Sequence, residues 1–104
     1  MAIMMKYEWA GATPAQYDAV RALTGWLETP PPGGRVHIAA FNEDGLQITD
    51  VWDSAEELQA FFTERLAPAI AQVGIEGEPV VELIPLHEVI CPIPGRVLAT
   101  PAAA

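Results

Sequence analysis

Apolar positions along this chain switch between the period of a strand and the period of a helix. Residues 2–9, Ala-Ile-Met-Met-Lys-Tyr-Glu-Trp, contain no breaker before Gly11 and predict a first strand. In Thr13-Pro14-Ala15-Gln16 the threonine can cap, the proline suits the first helical position and the glutamine can close a capping box, so a helix is predicted from there to about Thr24. Its apolar positions Tyr17, Val20, Leu23 and Trp26 recur about every three residues, which places them along one side facing the sheet. Glu28-Thr-Pro-Pro-Pro-Gly-Gly34 can continue neither a helix nor a ladder and predicts a loop. Two strands follow, Arg35–Phe41 and Leu46–Trp52, joined by the tight turn that Asn42-Glu-Asp-Gly45 favours. Ser54-Ala-Glu-Glu57 repeats the capping-box pattern, and Leu58, Phe61, Phe62, Leu66, Ile70 and Val73 mark a second helix. Pro68 removes the hydrogen bond to the Glu64 carbonyl and should kink or break that helix one turn earlier. Gly74 and Gly77 end it, and Pro79–Ile90 predicts a last strand whose Pro85 fits an edge or a bulge.

The order strand, helix, strand, strand, helix, strand is the ferredoxin-like α+β pattern, a four-stranded antiparallel sheet with both helices on one face. A sheet with one wet face should alternate cleanly. Val36–Phe41, Val80–Leu86 and Ile3–Met5 instead carry apolar residues at both parities, so a cover over the second face is expected, the bland alternative being a monomer with untidy alternation. The simplest cover is the same face of a second copy, which gives a closed two-fold homodimer.

Composition narrows the functions. At 104 residues the chain suits one domain, taken as residues 1–90, followed by a Pro/Ala-rich tail at 91–104. Fourteen acidic residues against five scattered basic ones give a net charge of −9, which argues against nucleic acid and against anionic membranes. No apolar stretch approaches the length of a spanning helix, and the N-terminal residues do not read as a secretory signal. A single cysteine, Cys91, agrees with a reducing, cytoplasmic setting. Two histidines and one cysteine, far apart in sequence, predict no metal site, and no cofactor motif is evident.

The element order, and above all the stretch from Val36-His-Ile-Ala-Ala-Phe through Asp50-Val-Trp-Asp-Ser to Phe61-Phe-Thr-Glu-Arg-Leu-Ala-Pro-Ala-Ile70, resembles the dimeric α/β-barrel superfamily. That superfamily includes antibiotic-biosynthesis monooxygenases, several polyketide cyclases and small bacterial proteins. The resemblance spans roughly residues 2–90 and implies the ferredoxin-like fold and the barrel dimer; it transfers chemistry less well, because one fold hosts many functions. It implies a cofactor-independent monooxygenase, or a cyclase-like proton-transfer catalyst, acting on an aromatic or polyketide-like substrate. The rival is a non-catalytic dimer that binds a hydrophobic ligand or serves in stress response.

With Phe41 opposite Leu46, the hairpin register places His37 opposite Asp50 and Arg35 opposite Trp52, all on one face. A carboxylate beside an imidazole fixes its tautomer and favours its protonated form, as a general base requires; the bland alternative is a structural histidine bonded within a sheet. His87, on the last strand, is expected to meet Tyr7 on the first, a phenol and imidazole suited to moving a proton on an enolisable substrate. Trp9, Trp26, Trp52, Phe61 and Phe62 are candidates for the walls of an apolar pocket, although core packing is the better single explanation of the aromatics.

Overall fold

The computed structural model describes residues 1–91, and the order of elements is β1 (Ile3–Ala10), α1 (Pro14–Thr24), β2 (Gly34–Asn42), β3 (Gly45–Trp52), α2 (Ala55–Phe61), a π-helical turn (Phe62–Leu66), α3 (Ala67–Val73) and β4 (Val80–Pro85). All three strand pairs are antiparallel and the spatial order is β2-β3-β1-β4. This is the ferredoxin-like fold. The tail expected at 91–104 lies, beyond Cys91, outside the described residues.

Local signals fix the helix ends. Thr13 accepts from the Gln16 backbone and Gln16 returns a bond to the Thr13 N–H, a complete capping box, while Gly25 closes α1 in the left-handed region. At α2 the cap is half of the expected box. Ser54 accepts from the Glu57 N–H, but the Glu57 carboxylate takes the Ser54 hydroxyl proton rather than the backbone one. The long helix is divided as Pro68 suggests, into two α-helical pieces, α2 and α3, joined by the π-helical turn just before the proline. The backbone widens just before it, the Ala67 N–H reaching back five residues to the Phe62 carbonyl, so the proline follows a turn already out of α register.

The helices cover the sheet face that carries Ile3, Met5, Tyr7 and Trp9, all buried, with Leu46, Trp52, Leu58 and Phe61 in the same core. Trp52 is wholly buried. On α1 the inward stripe is Tyr17, Val20, Arg21 and Thr24, a period nearer four than three, and Leu23 is left 47% exposed rather than facing the sheet. On the opposite sheet face the cross-strand rows read Val36, Val51, Met4 and Ile84, then Ile38, Thr49, Lys6 and Glu82. The first row is wholly apolar, and Ile38 in the second is 55% exposed.

Candidate active site

The β2–β3 hairpin sets the site. Asn42 pairs with Gly45 and Phe41 with Leu46, so His37 falls opposite Asp50 on the helix-covered face. Gly45 has a φ of 125° and its α-carbon lies so close to β1 that a Cβ would strike the Trp9 carbonyl, which makes glycine obligatory at this corner. At its other end the hairpin slips by one residue between Gly34 and Val36, and Gly34, not Arg35, stands opposite Trp52. The slip turns Arg35 outward, where its guanidinium grips Asp53 through two bonds of 2.8 and 2.7 Å. That hydrogen-bonded pairing holds the Asp53 carboxyl below the usual carboxylate range.

Inside the fold, four side chains form a continuous chain of hydrogen bonds. Trp52 Nε1 donates to Asp50 Oδ2 at 3.2 Å, and His37 Nδ1 lies 2.7 Å from Asp50 Oδ1. Asp50 is buried and, as a carboxylate, can only accept, so the His37 proton sits on Nδ1 and Nε2 is left as a base. Tyr17 Oη lies 2.6 Å from that nitrogen and donates to it. The Tyr17 and His37 rings are nearly coplanar, 3° apart, while Trp26 leans on the imidazole at 5.2 Å and on Trp52 and Phe61 beyond it. Burial pushes the Tyr17 phenol above its ordinary value; nearby Arg21 opposes the rise, and the Asp50 and Asp18 charges add to it.

A cavity of about 60 Å³ opens between helices and sheet over this chain. Tyr7, Trp9, Tyr17, Trp26, His37 and Phe61 are among its walls, and almost all of its surface is apolar. Tyr7 brings a second phenol, held well above its usual range by burial. The cavity is kept closed on one side by the turn after α1, where the Thr29 N–H bonds the Gly25 carbonyl and Arg65 donates to the Thr24 and Thr29 carbonyls.

Several expected contacts are rearranged. Tyr7 pairs with Val81, and β4 ends at Pro85; the Leu86 N–H still reaches the Ala2 carbonyl, so His87 lies past the start of β1, exposed and away from Tyr7. The phenol that meets an imidazole is Tyr17, and the imidazole is His37. Phe62 points outward from the π-helical turn, 41% exposed, and takes no part in the cavity. Trp52 lies behind the cavity as the donor that orients Asp50. Tyr17 and Arg21 were legible only as an i, i+4 pair on the stripe that also holds Thr24. Among the described residues no three His, Cys, Asp or Glu side chains gather as metal ligands, and no helix is long and apolar enough to cross a membrane.

No sequence profile of a known family matches the chain, and no curated protein matches it. Solved structures do. A monooxygenase from the gene ActVA-Orf6 of Streptomyces coelicolor, determined with the ligand nanaomycin D, superposes with a TM-score of 0.56 at 18% identity over 88% of this chain and 91% of that one. A protein from Chloroflexus aurantiacus described as an antibiotic biosynthesis monooxygenase gives 0.51 at 25% identity, covering 85% and 95% of the two chains. One from Caulobacter crescentus with the same description gives 0.59 at 18%, over 84% and 90%. The chain shares the ferredoxin-like fold of these proteins.

Proposed function

We propose that the chain is a small-molecule enzyme that removes a proton from an aromatic or polyketide-like substrate held in the apolar cavity, with Tyr17 as the group that meets the substrate and His37 as the base behind it. The observation that carries this is the unbroken run Trp52, Asp50, His37, Tyr17, which ends on the cavity wall. The substrate proton passes to the Tyr17 oxygen as the Tyr17 proton passes to His37 Nε2. The imidazolium so formed is stabilised by Asp50, whose second oxygen is already occupied by Trp52. In the oxygenase form of the reaction the substrate anion itself supplies the electrons to dioxygen, one oxygen atom ending on carbon and the other leaving in water. The ligand bound to the Streptomyces structure, nanaomycin D, supports an aromatic polyketide as the substrate class.

At about 60 Å³ the cavity holds a few waters and no polycyclic ring, so admitting such a substrate requires a wall side chain to move. The protein works in the cytoplasm as a homodimer, the open sheet face being the contact.

The test is turnover of a panel of polycyclic phenols, followed by oxygen uptake and by product mass, with His37→Asn and Tyr17→Phe beside the wild type. Each variant is expected to lose about 10²-fold or more in turnover while still binding the phenol. Variants that turn over as fast as the wild type would remove the proton chain from the mechanism.

A further inference from the structure

Of the five basic residues, one lies in the cavity wall. Lys6 faces the open side of the sheet, Arg35 is paired with Asp53, Arg65 is bound to the Thr24 and Thr29 carbonyls and sits over the Phe61 ring, and Arg96 falls outside the described residues. Arg21 lines the cavity on the turn of α1 that follows Tyr17, and it is partly buried. No acidic side chain lies within ion-pairing distance of it among the described residues, although Asp18 stands three positions earlier on the same helix. In a chain whose acids outnumber its bases fourteen to five, a half-buried cation at an apolar cavity with no acidic side chain on it is free to answer an anion that enters. The other formal charge in the wall, Asp50, is already neutralised in effect by two donors, His37 and Trp52.

We propose that Arg21 is a carboxylate subsite of this cavity, so that the substrate is a planar apolar body bearing one carboxylate. This rests on the cavity being a small-molecule site, as argued above. A guanidinium presents two parallel N–H donors that match a carboxylate, and such charge-assisted pairs are stronger than neutral ones in a poorly solvated setting. Arg21 and Tyr17 stand about one helical turn, 5–6 Å, apart at Cβ, which puts the anchored carboxylate within one ring of the atom that Tyr17 would deprotonate. Arg21 fixes which end of the ligand faces the proton chain; it is a positioning and specificity residue.

Its place in the last turn of α1 also suits the helix dipole, so the experiment must read something that a structural role would leave alone. The probes are 2-naphthoate and its neutral counterpart 2-naphthamide, each titrated by calorimetry into the full-length wild type, Arg21→Gln and Arg21→Lys. The wild type is expected to prefer the naphthoate by about tenfold. Arg21→Gln should erase that preference while holding the amide affinity, and Arg21→Lys should restore part of it. A preference unchanged in Arg21→Gln overturns the subsite and leaves the proton chain standing. If Arg21→Gln does not fold, the wild type decides alone, since equal affinity for the two probes overturns the subsite. Binding of neither probe overturns the subsite and the cavity as a ligand site together.

Discussion

Two phenols, the only tyrosines in the chain, both line the cavity, and burial raises both above the ordinary value of 10.0. Between the unfolded and folded values the native chain holds more protons than the unfolded one, so stability falls as pH climbs through the window above 10.0 and is untouched by these groups below it. Thermal midpoints measured from about pH 9 to about pH 12 should therefore drop steeply. Tyr7→Phe should flatten much of that drop, because the Tyr7 phenol rises further and by burial alone; an equally steep drop in Tyr7→Phe would mean that the loss comes from other groups. The residues also differ in how far the sequence betrayed them. His37 opposite Asp50 was legible because a short turn leaves few registers and one register puts both on one face. Tyr17 was not, because its partner sits on a strand that a helix residue cannot be paired with by counting. His87 misled for a related reason: no short turn fixes the register of β4 on β1, and the register adopted pairs Tyr7 with Val81, which carries His87 past the start of β1.

At the scale of elements, the long second helix carries its irregularity in its spacing. Phe61, Leu66 and Ile70 all reach the cavity, and the gap of five between the first two fits a π-helical turn where four fits an α turn. The widened turn swings Phe62 to solvent and brings Leu66 inward. Pro68 alone suggests a break; together with the five-residue gap it indicates a widened turn that the buried residues on both sides, Leu58 and Phe61 before and Ala69 after, hold in place. It follows that Pro68 costs little here. Pro68→Ala should raise stability by less than about 1 kcal/mol in chemical denaturation, against the roughly 3 kcal/mol that relief of a proline inside a regular helix would bring. A gain near the larger figure would mean that the widened turn does not accommodate the ring. The Pro-rich stretch before β2 is the converse case. Its composition announced a loop and nothing more, yet Gly34 within it lies so close to Trp26 that a Cβ there would sit 3.0 Å from the indole.

For the whole molecule, the uneven sheet is the feature on which the proposed dimer rests. One face is spent on the helices. The other offers a fully apolar row, Val36, Val51, Met4 and Ile84, at one end and turns charged towards Lys6, Glu8 and Glu82 at the other. A second copy laid on this face buries the apolar row, and two-fold symmetry lets Lys6 of each copy answer an acid of its mate, which offsets locally part of the repulsion between two chains of net charge −9. Ile38, 55% exposed and far from the proton chain's own face, is the residue to probe. Ile38→Lys places a charge on the proposed contact while leaving the helix-covered core alone. Sedimentation at matched concentrations should find the wild type at twice the chain mass and Ile38→Lys at one, with the far-ultraviolet spectrum unchanged. A wild type that sediments as one chain would mean that the mixed parity of the strands records an untidy but solvated face. In that case the apolar row is left to solvent, and the cavity must be complete within a single chain.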